Sequence, residues 1–422
     1  MSLNTQIFIA ALLGVIVGCV LRLYPDTTLF SHSIYGLSII SSIFIGCLKM
    51  LLVPLIFTSI VVGVASLESG KQLGKVWKVT LMCSFTTMTL SLILGLTCAH
   101  IFEVGKGMDV SLFKHAMDQY HSPAQSLDTS SFITNFIQNT LINPFKAFSD
   151  GNVLSVVVFA MLIGLALVYG GKKFQHIRTF NEEFFHLVMM LVSWIMKLAP
   201  FGIFALLAKL IAKEDLSVLS RLAEFAAIVT GTTLFHGLIV LPLLLWIFGK
   251  MSPLKFFKGA RLALITAFAT SSSSATMPLS MKCAQENLGV RPKITGFVIP
   301  LGSHLNMDGT ALYEAAAALF VANLIGLDLS LTQQIIVCLT AMIASLGAPG
   351  IPSAGMVTMI MVLQSVGLPA EAIAILLPID RVLDTVRTMV NVEGDMMVSV
   401  VVDRYTQDED IDHLPTKEVA SS

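Results

Sequence analysis

The chain has 422 residues, 55% of them hydrophobic and only 13% charged, with a mean hydropathy of +0.82 and a formal net charge of −1. Soluble domains carry about 25% charged residues, so the composition specifies an integral membrane protein, and the lack of short alternating segments argues against an outer-membrane barrel. A near-neutral charge leaves no basic field for nucleic acid, and six cysteines scattered through apolar segments without a CxxC read as small core hydrophobes rather than a disulfide framework or a metal site.

A spanning helix needs about 20 apolar residues. The first candidate covers residues 7–23, and the start "MSLNTQIFIA" lacks a basic n-region, so it reads as a retained helix rather than a cleaved signal. The second covers 37–65, interrupted by Lys49, and the third covers 79–102. A polar stretch at 103–139, with His115 and His121, reads as a solvent-exposed excursion. The fourth span is 153–169, the fifth 184–211 with "APFG" inside it, and the sixth 225–248.

Basic residues cluster in alternate connections: Lys71, Lys75 and Lys78; Lys172, Lys173 and Arg178; Lys250, Lys255, Lys258 and Arg261; Arg291 and Lys293. The positive-inside rule puts these loops in the cytoplasm, together with both termini. The last two clusters share a side, so the apolar segment 262–281 between them must enter the membrane and return. Its "TSSSSATMP" is a poor helix interior. Serines also occur at membrane helix contacts, but four in a row beside Pro278 favour a hairpin with Ser271 to Ser274 at its tip. A second break, "GAPGIPSAG" at 347–355, separates two arms each too short to span.

An internal repeat follows from these breaks. The first tip precedes an apolar helix carrying "NMDGT", and the second precedes "DRVLDTVRTMVNVEGD" at 380–395. Paired interrupted segments in two halves point to a transporter site near the bilayer midplane. On a helix, Asp380, Asp384, Arg387, Thr388, Asn391 and Asp395 share one arc of roughly 100°. Glu393 falls opposite and Arg381 at the edge, so these two are expected to matter least to binding. Each intramembrane charge costs about 2.5–3.5 kcal/mol on insertion scales, so the stripe needs partners.

Two readings of the stripe stand. Arg387 pairs with Asp384 or Asp380 and simply holds helices together, or the stripe faces the hairpin tips and binds solute and ions. In the second, Arg387 grips a carboxylate with its planar fork, Asp384 takes an ammonium group, and Asn391 and Asp395 offer hard oxygens to a cation. That combination suits an acidic amino acid. Asn306 and Asp308 point about 160° apart on a regular helix, but unwinding at Gly309 would let both reach one cation. Glu314 reads either as an interhelical hydrogen-bonding group while protonated or as a proton carrier.

The motifs "TSSSSATMP", "NMDGTALYEA", "GIPSAGMVTM", "SVGLP" and "DTVRTMVNVEGD", in this order, resemble the glutamate and neutral amino-acid transporters, the dicarboxylate/amino acid:cation symporters, over nearly the whole chain. The resemblance implies an all-α membrane protein of eight transmembrane helices plus two re-entrant hairpins in inverted repeats, assembled as a homotrimer and working as an elevator. It implies scaffold helices at 1–75 and 141–212, and a mobile domain of helix 3 with the excursion (76–140), helix 6 (213–250), hairpin 1 (251–290), helix 7 (291–328), hairpin 2 (329–369) and helix 8 (370–405). A cytoplasmic tail (406–422) would follow.

Carried over by motif, Asp384 would bind the substrate amino group and Arg387 its side-chain carboxylate. Thr388, Asn391 and Thr310 would line the remainder. Ser271, Ser272 and Ser273 would contribute from the first tip, and Ile351 and Gly355 from the second, the outer gate. Sodium would be held by Asp395, Asn391 and backbone near Gly302, by Asn306 and Asp308 with Thr86 and Thr87, and by backbone around Ser345 and Leu346. No covalent cofactor and no catalysis are implied; sodium, protons or both are the coupling ions, and L-glutamate or L-aspartate and membrane lipids are the expected partners in a cell membrane.

The sequence departs from the family's pattern twice. Met82-Cys83 stand where a tyrosine pair is frequent, and Gly302-Ser303-His304-Leu305-Asn306 replaces "GATIN". A histidine there titrates near neutrality, which adds His304 to Glu314 as a candidate proton carrier; a histidine simply bonded to a carbonyl is the alternative. Arg387 disfavours neutral amino acids, and Asp384 disfavours a plain C4-dicarboxylate. An intramembrane hydrolase lacks its GxSxG elbow, and an ion channel does not need an amino-acid site.

Overall fold

The computed structural model describes residues 3–25, 27–65, 74–106, 141–150, 153–213, 217–347, 350, 352, 354–369 and 372–407. Among them every regular element is helical. Four helical stretches are long and apolar enough to cross a bilayer: Thr5–Arg22, Lys75–Ile101, Val158–Ile195 and Ser220–Gly249.

Helices α1 (Leu3–Arg22), α2 (Thr28–Ala65), α4 (Pro144–Asp150), α5 (Val153–Gly170), α6 (Gln175–Met196) and α7 (Ala199–Lys213) form one packed group. Helix α1 lies backbone to backbone on α7: a Cβ added at Gly14 or Gly18 would come within 2.7 or 2.8 Å of the Phe204 or Ala208 carbonyl oxygen. Small residues four apart let backbones touch where apolar driving force is weak. Helix α2 begins earlier than the hydropathy suggested, because the Thr27 hydroxyl accepts the Phe30 amide at 3.1 Å and caps the first turn. The fifth apolar span, 184–211, is not one helix. It stops at Met196 and restarts at Ala199, since Pro200 cannot continue a helix but suits a first turn.

The second group is built around two long elements. Helix α3 (Lys75–Ile101) lies against the C-terminal half, its Gly95 so near α12 (Asp308–Leu324) that a Cβ would meet the Leu312 carbonyl oxygen at 2.6 Å. Helix α8 (Ser217–Phe235) runs on through a π-turn at His236–Val240, a short α segment at Leu241–Leu244 and a second π-turn at Leu245–Gly249. Pro242 has no N–H for the regular ladder, and π-turns absorb such defects.

Two helical pairs follow. Helix α9 (Pro253–Thr270) turns back into α10 (Ser273–Glu286) through Ser271, left-handed at φ 51°, and Ser272, extended at φ −141°. The Ser272 hydroxyl then caps α10 by accepting the Ala275 amide at 3.1 Å. Helices α13 (Leu331–Gly347) and α14 (Ala354–Ser365) pack on each other in the same way. Between the pairs lie α11 (Pro292–Leu305) and α12, and the chain closes with α15 (Ile373–Tyr405), which touches most of this group. Arg291 ties the base of α11 to the end of α15 through Asp403 at 2.7 Å and the Thr406 carbonyl at 2.9 Å.

Candidate functional site

The charged stripe lies wholly inside the protein. Asp380, Asp384, Arg387, Thr388, Asn391 and Asp395 are all buried on α15. Arg387, 1% exposed, donates through Nη2 to Asp380 at 2.7 Å and Asp384 at 3.0 Å. Its guanidinium stacks over the Tyr313 ring, 4.1 Å from the centroid, an arrangement favoured by the ring's electron-rich face. Nε and Nη1 have no hydrogen-bond partner. The ion pairs expected of Arg387 are therefore formed, but within α15 rather than between helices, and half of its fork remains available to a ligand.

Beside it is a small void lined by Ser271, Ser273, Thr310, Gly350, Gly355, Asp384, Thr388 and Asn391. With Met307 and Ala354 the lining comes to ten residues, of which seven belong to those predicted for substrate. The void is about 10 Å³, room for roughly one water molecule. The two tips meet above it: the Ser272 hydroxyl donates to the Gly350 carbonyl at 2.7 Å, and the Ser274 amide to the same oxygen at 3.0 Å. Gly355 sits against Arg387, where a Cβ would come 3.4 Å from Nη1. Ile351 lies outside the described residues.

A second cluster lies where α11 breaks. Asn306 and Met307 have non-helical ψ of 64° and 57°, so the chain unwinds just before Asp308 rather than at Gly309. This brings three oxygens together: Thr87 Oγ1 is 2.9 Å from Asn306 Oδ1 and 3.1 Å from Asp308 Oδ1. One hydroxyl proton cannot serve both acceptors, so the cluster suits a small hard cation, which takes oxygen ligands. Asp395 adjoins the same break, its side chain near Asn306, with its Oδ1 2.5 Å from where a Gly302 Cβ would stand and without a hydrogen-bond partner. Asn391 bridges the two clusters, accepting the Gly309 amide at 2.8 Å and donating to Thr310 Oγ1 at 3.1 Å.

Other predicted residues fall elsewhere. Thr86 faces outward and its hydroxyl donates to the Met82 carbonyl at 2.7 Å, so it does not join Thr87. The Ser345 hydroxyl donates to the Met342 carbonyl at 2.8 Å; the Leu346 side chain is outside the described residues. His304 is half-buried in the last turn of α11. Glu314 is fully buried, bonded through Oε1 to the Thr358 hydroxyl of α14, with Oε2 unpartnered. Glu393 is opposite the stripe as the wheel required, yet it too is buried, with its Oε2 2.9 Å from a Cβ placed on Gly237 in the first π-turn.

His236 was missed in the sequence. It is buried in that π-turn, and its Nε2 lies 3.0 Å from Asp308 Oδ2, leaving Oδ1 free to face Thr87. The available signal was an ionisable residue inside the apolar run "TTLFHGLIVLP". Tyr313 was also missed, because an aromatic between "AL" and "EA" on an apolar helix reads as core.

The model of the Sodium:dicarboxylate symporter family matches residues 3–405. The chain is 35% identical to Excitatory amino acid transporter 3 of Mus musculus, over 95% of this chain and 84% of that protein. It is 33% identical to the Proton/sodium-glutamate symport protein of Geobacillus stearothermophilus, over 96% of this chain and 94% of that one. The Bacillus subtilis protein of the same name is 32% identical, over 96% and 92%. The chain belongs to the sodium:dicarboxylate symporter family.

Proposed function

We propose that this protein is a secondary active symporter that takes up acidic amino acids, glutamate or aspartate, with sodium, protons or both as coupling ions. The observation that carries the reading is Arg387: a buried, permanently charged fork, oriented by Asp380, Asp384 and Tyr313, with unpaired N–H groups beside a void closed by two helix tips. A substrate carboxylate satisfies that fork, and Asp384 takes the ammonium group when the carboxylate displaces it from Arg387. Neutral amino acids and C4-dicarboxylates each leave one of these two charges unmatched. The relatives named above are glutamate and excitatory amino acid transporters, which supports the same substrate class.

Ion coupling is assigned to the oxygens. Thr87, Asn306 and Asp308 hold one sodium, and Asp395 with Asn391 and the Gly302 backbone a second. Glu314, under α14 and joined to Thr358, is the proton carrier, with His304 second. In the membrane we take α9–α10 and α13–α14 as re-entrant hairpins among eight spanning helices. The α3, α8 and α9–α15 group moves as an elevator against the α1, α2, α5–α7 group, which assembles as a homotrimer with both termini cytoplasmic.

The deciding measurement is uptake of labelled aspartate and glutamate into vesicles containing the purified protein, with sodium and proton gradients imposed separately. Concentrative, saturable uptake is expected, abolished by sodium replacement at fixed potential and pH. Uptake driven equally well by a pH gradient alone moves the coupling to Glu314; no uptake of either acid, with alanine or succinate carried instead, sinks the substrate assignment.

A further inference from the structure

A groove on the flank of the protein meets the site above only at Thr87. The start of α3, the end of the α8 rod and the last turns of α15 enclose about 170 Å³ between them. Val79, Cys83, Leu244, Phe248 and Val401 form apolar walls, and Thr87 lies at the floor. The mouth opens to the outside, since Met82 is 72% and Phe248 44% exposed. The α8 rod around it exposes Leu238, Ile239, Leu243 and Trp246, a face that only a bilayer or another apolar surface can cover.

One end of this groove is basic. Lys78 precedes Val79, Lys75 is one turn earlier, Lys250 is two residues beyond Phe248, and Arg404 is next to Tyr405, which also lines the groove. All four are exposed, and none takes part in the ion pairs found among the described residues. The nearby carboxylate in sequence, Asp403, is already held by Arg291 at 2.7 Å. By the positive-inside rule this end lies at the cytoplasmic leaflet, which is where anionic headgroups are available to basic clusters between helices.

We propose that the groove binds one anionic phospholipid, an acyl chain between α3, α8 and α15 and the phosphate on the Lys78–Lys250 rim. The charge complementarity selects this occupant: a neutral lipid fills the walls and leaves the rim unmatched, and a soluble anion matches the rim and leaves the walls empty. The bound chain also covers Thr87, whose hydroxyl is 3.1 Å from Asp308, and so keeps water from reaching the cation cluster sideways. This last step rests on the cation assignment proposed above; the lipid site itself does not.

The test is native mass spectrometry of the delipidated full chain in neutral detergent, titrated with phosphatidylglycerol or with phosphatidylcholine of the same acyl chains. About tenfold tighter binding of one phosphatidylglycerol is expected. The double variant Lys78→Gln/Lys250→Gln should reduce it to the phosphatidylcholine level, and Cys83→Phe, which fills the groove, should weaken both lipids. Val79→Phe serves the same purpose if Cys83→Phe fails to fold, and unfolding temperature monitors each. Equal binding of the two lipids, or undiminished phosphatidylglycerol binding with the groove filled, overturns the proposal. The acidic run Asp408, Glu409, Asp410 and Asp412 is the competing occupant of the rim. If phosphatidylglycerol binds only after these are changed to Asn and Gln, the tail holds the rim and the proposal fails.

Discussion

The two halves of the C-terminal group carry nearly the same local sequence and fold differently. Asn306-Met307-Asp308-Gly309 and Asn391-Val392-Glu393-Gly394 each follow a helical pair. The first breaks its helix between Leu305 and Asp308, whereas the second lies inside the unbroken 33-residue α15. The local residues do not make the difference. Breaking a helix frees amides that need acceptors, and the acceptor for Gly309 is Asn391 of the other half, at 2.8 Å. One helix stays whole and caps the other. Under the proposed function a division of labour follows: the broken element gathers oxygens for one cation, and the whole one displays Asp384 and Arg387 for a solute, with Asp395 at its far end for a second cation.

That division is testable by damaging each half alone. Arg387→Ala removes the proposed solute contact of the whole helix and takes away the arginine that Asp380 pairs with, while Asp384 keeps Arg381 at 3.4 Å. Acidic substrate affinity should fall more than 100-fold, about 3 kcal/mol, while sodium binding measured by calorimetry without substrate persists; near-normal aspartate affinity would refute the assignment. Asp308→Asn does the opposite on the broken helix. Sodium affinity should fall roughly 30- to 100-fold, and raised sodium should restore substrate binding; substrate loss that no sodium concentration repairs would merge the two roles.

His236→Ala should sharpen the contrast at lower cost. Losing the group that orients Asp308 is expected to lower sodium affinity about tenfold, with His236→Gln recovering most of it because an amide N–H can replace the ring N–H. A purely structural role predicts instead a lower unfolding temperature and unchanged sodium affinity. The smallest effect is at the tip. Ser272→Ala deletes the bond to Gly350 and the α10 cap, costing about 1–2 kcal/mol, and should raise the rate at which a thiol reagent labels a cysteine placed at Ser273.

The parts of this arrangement that were legible in the sequence are those set by local periodicity and breakers. Four serines before Pro278 located the first tip, and the wheel from Asp380 to Asp395 put the buried stripe on one face. Tertiary contacts hid the rest. Hydropathy ran through Lys197 and Leu198 because both flanks are apolar, so the helix break there was invisible. The wheel gave the side of α15 on which Glu393 lies, but not that Gly237 would close over it. Nor could spacing reveal that Asn391 caps a helix 82 residues away, that Arg387 chooses Asp380 as well as Asp384, or that Thr86 and Thr87 part company.

The contact between the tips sets a population. Both bonds end on one acceptor, the Gly350 carbonyl, and each is worth about 0.5–1.5 kcal/mol net. If they are the chief restraint, the tips separate spontaneously for about 0.6–16% of the time. A solute then needs no force to part them: it binds the minority form, and its apparent affinity is lowered by that fraction, about 6- to 160-fold below the intrinsic value. A single backbone oxygen thus sets the affinity the protein gives up in order to remain shut when nothing is bound.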